Sequence, residues 1–311
     1  VRRASPHTGR ENRLNQFLKT AERVWQHPAN ANGRVAGLLR FARWQIYKHL
    51  LRRDLPFRYH GMSLPGYRDS HSMSAAYYFN GLSDWWEMCF LYDYLRPGDR
   101  FLDIGANVGI YSILAADLVG AEGHVDAFEP ALIPSRRLQE AIQLNGLTGR
   151  VTIHRLAVTD KTGHVEFGFS ADDCQSHVRR IGEETGTSQS VPAVRLDEYC
   201  GENHYAMAKL DIEGHEPLAL LGATEMLRQG NPPVMQIEMA GYSKLFGVST
   251  AEFVQRLSDT GYDCTCYDPV KRELTNAAKP WEMGLDNVLA VHRTARSMVE
   301  DRLKLKRDKL G

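Results

Sequence analysis

The run Arg100-Phe101-Leu102-Asp103-Ile104-Gly105-Ala106-Asn107-Val108-Gly109 constrains this chain more than any other stretch. An apolar strand runs into a turn that needs glycine, and a helix begins at once. A second apolar strand, Val125-Asp126-Ala127-Phe128, then ends on the carboxylate of Glu129, followed by Pro130. Strand, glycine turn, helix and acid-terminated strand make up the first βαβ unit of a nucleotide-binding sheet.

The spacing says which nucleoside. A dinucleotide site wants G-x-G-x-x-G, because backbone N–H groups and a helix N-terminus must close on a pyrophosphate. Counted from Gly105, those positions hold Asn107 and Ile110 instead. The pattern present is D-x-G-x-N-x-G, with Asp103 ahead of the first glycine. S-adenosylmethionine (SAM) has no phosphate and carries a sulfonium and an ammonium, so an acid at the strand end is the fitting chemistry. Glu129 stands where a carboxylate accepts bonds from ribose hydroxyls. An ordinary α/β protein with a glycine turn and a surface acid explains either half alone, but less readily the pair. Gly105, Ala106, Asn107, Gly109, Glu129 and Pro130 are therefore the candidate cofactor residues, with Asp103 beneath them.

The same residues carry a resemblance. Phe101–Gly109, Phe128-Glu129-Pro130, Asn145, Leu196-Asp197 and Lys209-Leu210-Asp211-Ile212-Glu213-Gly214-His215-Glu216 together resemble the FkbM family of SAM-dependent methyltransferases. The likeness covers roughly residues 95–292 and leaves the first hundred uncovered. It implies a class I methyltransferase: a Rossmann-like, doubly wound, seven-stranded and mostly parallel sheet. It also implies transfer of a methyl group to a hydroxyl, on a sugar of a glycan precursor, glycolipid or natural product. An amino-group acceptor, a nicotinamide-dependent oxidoreductase and a catalytically silent SAM-binding partner are the rival readings.

Alternation of apolar runs and turn signals predicts strands at 100–104, 124–128, 151–156, 206–210, 234–238, 263–267 and 287–291. Helices are predicted over 108–118, 135–144, 217–229 and 250–260. The hairpin from Asp263 to Val291 suits an antiparallel last strand. A polar excursion from Gly163 to Ser190 replaces a short crossover, and long loops at this edge of a sheet commonly serve binding. Asp172, Gln175, Ser176 and His177 lie in it. Four segments are expected: a basic helical extension (1–60), a lid and lead-in helix (61–95), the SAM-binding domain (96–295) and a basic helical tail (296–311).

Ligands of open α/β sheets bind beyond the carboxyl ends of the strands. Ala157 and Asp160 follow the third strand, where the adenine ring would lie. Asp211 and Glu213 follow the fourth, and Glu238 ends the fifth. An alcohol is a poor nucleophile at neutral pH, so methyl transfer to it calls for a general base or a metal. Asp211, Glu213 and Glu238 offer both, with Asp211 and Glu238 as candidate ligands of Mg²⁺. His215 titrates in the right range for a base, and reads equally as a histidine at a helix start with no catalytic duty. Lys209 is buried by its strand pattern and needs a partner, Asp211 or Glu238, whether or not it also stands beside SAM. Asp197 and Asn145 read as helix caps. His71, Tyr77, Tyr78, Trp85 and Trp86 suit either an acceptor pocket or packing.

Composition sets the remaining bounds. The chain has 311 residues and zero net charge, yet residues 1–60 hold thirteen Lys or Arg against Glu11, Glu22 and Asp54. Nucleic acid is an unfavoured partner for the whole; a small-molecule or glycan acceptor is the expected one. Residues 34–53 read as a basic amphipathic helix with Val35, Leu38, Leu39, Ala42, Ile46 and Leu50 on one face. That face fits its own domain, a second subunit or a membrane surface. No apolar run is long enough to span a bilayer and the polar start is not a secretory signal, so a cytoplasmic protein is expected, with the inner membrane face as an alternative site of attachment. Five cysteines without a C-x-x-C pair argue against a disulfide framework or zinc knuckle.

Overall fold

The computed structural model of the protein describes residues 6–168, 177–178 and 188–305. Two helices open it, α1 (Pro6–Gln26) and α2 (Arg34–Gln45), the second running on through a wider-wound segment to Leu51. A hairpin of β1 (Phe57–Tyr59) and β2 (Met62–Leu64) follows, then helices α3 (His71–Tyr78) and α4 (Trp85–Tyr94). The central sheet starts with β3 (Arg100–Ile104), α5 (Ile110–Val119), β4 (His124–Phe128), α6 (Leu132–Leu144) and β5 (Val151–His154). Four short strands come next, β6 (Ala157–Val158), β7 (Gly163–Gly168), β8 (His177–Val178) and β9 (Ser188–Val194), and the helical turn α7 (Leu196–Tyr199). The rest is β10 (Met207–Leu210), α8 (Glu216–Leu221), α9 (Thr224–Arg228), β11 (Val234–Glu238), α10 (Thr250–Asp259), β12 (Tyr262–Asp268), β13 (Glu273–Asn276), β14 (Asn287–His292) and α11 (Arg296–Lys304).

The main sheet runs β13-β12-β14-β11-β10-β3-β4-β5. Ladders from β5 to β11 are parallel, and those joining β11 to β14, β14 to β12 and β12 to β13 are antiparallel. The expected seven strands are thus present with an antiparallel terminal pair. The eighth, β13, is an exposed polar edge of four residues whose sequence carries no apolar alternation. The predicted single helix over 217–229 is two, α8 and α9, broken at Gly222-Ala223. There a Cβ on Gly222 would stand 2.0 Å from the carbonyl oxygen of Thr159, so close backbone approach decides the break. The excursion forms a second sheet of order β6-β9-β7-β8; Asp172, Gln175 and Ser176 lie outside the described residues.

Apolar strands in the middle of the sheet are covered on both faces. Phe101, Val125, Ile113, Leu114 and Leu138 belong to one buried cluster, and Leu102, Ile104, Ala208, Ile237 and Phe253 to the other. The first cluster continues through α4 into α2 and α3, so the N-terminal helices share the sheet's core.

The α2 reading is corrected by this packing. The helix turns Phe41 and Trp44 inward, against Tyr78, Tyr77 and Phe57. Val35, Leu39, Ile46 and Leu50 face solvent, and of the predicted apolar face only Leu38 packs on the core. Phe41 and Trp44 find aromatic partners in Tyr78, Tyr77 and Phe57, and burial of these two large rings sets the rotation of the helix.

Asn145 does more than end α6. Its Nδ2 donates to the carbonyls of Ala141 (2.7 Å) and Ser63 (2.8 Å), while its Oδ1 accepts from the Ser63 N–H at 2.8 Å, tying the β1–β2 hairpin to the sheet domain. Asn145→Ala is expected to lower unfolding free energy by about 1–3 kcal/mol, read by denaturant titration, because a backbone pair is left without partners. An unchanged midpoint would mean that water replaces the amide at no cost.

Candidate active site

The carboxyl ends of β3, β4 and β10 converge on a cleft of about 380 Å³. Its seat is the β3–α5 turn. Gly105 holds φ +83°, and a Cβ there would stand 1.9 Å from the carbonyl oxygen of Asp211, so only glycine lets the two loops meet. Asn107 also takes a left-handed conformation, at φ 51°. That aims its N–H at Glu129.

Two acids line this seat. Asp103 is fully buried; its Oδ2 accepts from Ser112 Oγ at 2.5 Å, and its Oδ1 has no hydrogen-bond partner among the described residues. Burial raises its pKa, against the opposing pull of the Lys209 ammonium. Glu129 accepts from the N–H groups of Asn107 (2.9 Å) and Ala131 (2.8 Å), and burial pushes its pKa up to about 7. Both carboxylates line the cleft.

Beside them lies a polar cluster. Lys209 Nζ donates to Asp211 Oδ2 at 2.8 Å and sits 4.8 Å from the centre of the Tyr111 ring. Burial would lower the lysine pKa, but Asp211 and Asp103 outweigh it and the net shift is upward. Lys209 is buried, whereas the Asp211 carboxylate stays partly open to the cleft. The Tyr111 hydroxyl donates to Asp84 Oδ2 at 2.9 Å and accepts from Gln236 Nε2 at 3.0 Å. Asp84 itself opens onto the cleft but is ringed by protein on its other sides, and that dehydration raises its pKa despite the Tyr111 bond.

The loop carrying Asp211 and Glu213 is held from below. Glu216 is buried, and its Oε1 accepts from the N–H groups of Ile212 (2.8 Å) and Gly214 (3.2 Å). Burial raises its pKa to about 7.

Of the sequence candidates, Asp103, Gly105, Ala106, Asn107, Glu129, Pro130, Ala157, Lys209, Asp211 and Glu213 line the cleft together. Gly109, Asp160, His215 and Glu238 do not. Gly109 meets Leu138, whose Cδ1 would lie 2.3 Å from an added Cβ, so its place is fixed by packing. Asp160 accepts from Thr159 Oγ1 at 3.1 Å at the start of the excursion. His215 is buried under the loop, its Nε2 2.8 Å from Thr159 Oγ1 and its ring edge-on to Phe246. Glu238 turns toward Gly214, Met239, Ser243 and Phe253, where burial and then the charges of Asp211, Glu216 and Glu213 raise its pKa. Asp211 and Glu238, the candidate magnesium ligands, therefore open onto different pockets. Among the described residues no group of three or more His, Cys, Asp or Glu is arranged to hold a metal.

Burial moves His215 down to about 4, so the ring is neutral at neutral pH. Its NMR titration is expected near 4, and His215→Gln is expected to keep turnover within a few fold. The unfolded chain binds a proton at about 6.5 that the folded ring refuses. This group's contribution to stability therefore falls as pH drops from about 6.5 toward 4.

Of the aromatic candidates only His71 lines the cleft; Tyr77 and Tyr78 pack against Trp44, and Trp86 borders a separate cavity of about 240 Å³ with Glu87, Cys266 and Asn287. Asp197 caps at a distance, accepting from the N–H groups of Glu225 and Met226 at the start of α9. Sequence reasoning missed Asp84, Tyr111 and Gln236 as site residues. Gln236 had a visible signal, an amide in the centre of an apolar strand. Asp84 stands directly before α4, where an aspartate ordinarily caps the helix, and makes no capping hydrogen bond.

The strand order, with its antiparallel terminal pair and its cleft over the first glycine turn, defines a Rossmann-like fold of the class I methyltransferase type. The family model described as the methyltransferase FkbM domain matches residues 103–264, and the chain belongs to that family. Among curated proteins it is similar to the 31-O-demethyl-FK506 methyltransferase FkbM of Streptomyces tacrolimicus, 27% identical over 164 residues that cover 42% of this chain and 62% of the relative. Among solved structures it is similar to a methyltransferase FkbM from Methylobacillus flagellatus, with 15% identity and a TM-score of 0.40 over 83% of this chain and 60% of that one. Aeropyrum pernix fibrillarin, solved with S-adenosyl-L-methionine, matches at 13% identity and a TM-score of 0.34, over 63% of this chain and 67% of its own. The chain thus spans less than two thirds of the length of its curated relative.

Proposed function

We propose that this chain is a SAM-dependent O-methyltransferase whose acceptor is a hydroxyl, on a sugar of a glycan precursor, glycolipid or natural product. The observation that carries the reading is one cleft holding both a nucleoside seat without a pyrophosphate turn, Asp103 and Glu129, and two open carboxylates, Asp84 and Asp211. The unpartnered Oδ1 of Asp103 and the volume of the cleft fit a cationic nucleoside. The curated relative is named for an oxygen acceptor of a natural product, which supports the same acceptor class.

SAM, when bound, supplies an activated methyl group and a neutral thioether leaving group. Glu129, with each oxygen already fixed by a backbone N–H, keeps lone pairs for the two ribose hydroxyls. Asp103 places negative charge under the cationic end, and Ala157, Phe167 and Val178 furnish an apolar wall. Asp211, oriented by Lys209, and Asp84, oriented by Tyr111, are the groups that can take the acceptor's proton. The buried ammonium keeps the Asp211 carboxylate in one position, so less is lost in ordering it at the moment of reaction.

The deciding experiment incubates the protein with methyl-labelled SAM and a panel of nucleotide sugars, glycolipids and polyketide alcohols. Label in an ether product, absent when the hydroxyl is blocked, is the expected result. Tight binding of NAD in place of SAM would overturn the reading. So would SAM binding with no transfer to any hydroxylated acceptor.

A further inference from the structure

Helix α2 and its continuation to Leu51 leave an apolar stripe uncovered. Val35, Leu39, Ala42 and Ile46 recur at spacings of four, three and four residues, which places them on one face, and Leu50 follows in the wider-wound segment. Leu39 is 66% exposed and Leu50 76%, while the opposite face is buried through Phe41 and Trp44. The charge around the stripe is of one sign. Residues 34–53 hold Arg34, Arg40, Arg43, Lys48, Arg52 and Arg53 and no Asp or Glu.

Next to the stripe, Arg40, Arg43 and Arg58 border a cleft of about 460 Å³ whose lining contains no acid. Arg40 is held inward by Asn30 Oδ1 at 2.6 Å, whereas Arg43 and Arg58 are exposed and form no ion pair among the described residues. Arg43 follows Leu39 by one turn, so the cleft opens at the edge of the apolar stripe.

We propose that this face lies on an anionic phospholipid surface, with the stripe at the level of the acyl chains and Arg43 and Arg58 on headgroup phosphates. Charge selects this occupant over a second copy of the chain. A two-fold contact through the face would set six basic residues against the same six with no acid between them. A bilayer containing anionic lipid supplies both the negative surface and the apolar layer that such a helix requires.

The test is flotation of the full chain with vesicles of phosphatidylcholine alone or with about 30% phosphatidylglycerol, at low and high salt. Binding to the anionic vesicles, weakened by salt, is expected. Leu39→Glu with Ile46→Glu, and separately Arg43→Glu with Arg58→Glu, should each lower the partition coefficient about tenfold or more. All four side chains reach solvent, so thermal melting should be unchanged, and the arginine pair preserves the test if the stripe variant folds poorly. Three results would overturn the proposal. They are no binding to anionic vesicles, binding indifferent to the stripe substitution, and a sedimenting dimer that Leu39→Glu with Ile46→Glu dissociates. Vesicle binding needs neither SAM nor turnover, so its outcome is independent of the methyl-transfer reading.

Discussion

Glu129→Ala is expected to lose most of the chain's affinity for SAM, about 1–3 kcal/mol in calorimetry, since hydrogen bonds to a charged group carry that range. The substitution also strips partners from the N–H groups of Asn107 and Ala131, so a melting curve must accompany the titration. Affinity lost in a chain that still melts as the parent does locates the effect in the cleft; unchanged affinity removes Glu129 from the nucleoside seat. The pH dependence follows from the same group. Its pKa of about 7 means that the empty cleft holds a proton near neutrality, while ribose binding favours the ionised form. Affinity should therefore rise with pH through about 7 and then level. In the ligand-free chain the sign reverses. The folded carboxyl keeps a proton that the unfolded one has released, so its contribution to stability declines between the ordinary 4.5 and about 7.

Asp211→Asn is expected to lower turnover about 10²- to 10⁴-fold, the range for a lost general base, with SAM affinity little changed. Asparagine keeps an oxygen for the buried Lys209 ammonium, so the fold should survive the exchange. The companion Asp84→Asn sorts the two carboxylates. The one that receives the acceptor's proton is the one whose loss abolishes the acidic limb of the kcat profile. Near-normal turnover in Asp211→Asn would leave that residue only the task of holding Lys209.

The parts of this molecule legible in its sequence are those set by local chemistry. The glycine turn at Gly105, the acid ending β4 and the parallel strands each follow from a few adjacent residues, and the cleft assembles where those strand ends meet. What escaped depended on contacts between distant residues. Whether His215 faces the cleft or the underside of its loop is decided by Thr159 and Phe246, and no spacing within residues 209–216 reveals it. The rotation of α2 depends on which of two apolar faces finds aromatic partners, Tyr77 and Tyr78 being more than thirty residues away. An aspartate directly before a helix, as Asp84 is before α4, ordinarily caps it. The Asp84 hydrogen bond instead comes from Tyr111, on α5.

The absent side chain at Gly105 has a mechanical consequence. Because the backbone there rests on the carbonyl of Asp211, the glycine turn and the loop that carries Asp211 are a single abutment, with no slack between them. A methyl group added at that position would drive the two apart, so donor affinity and chemical rate should fail in concert.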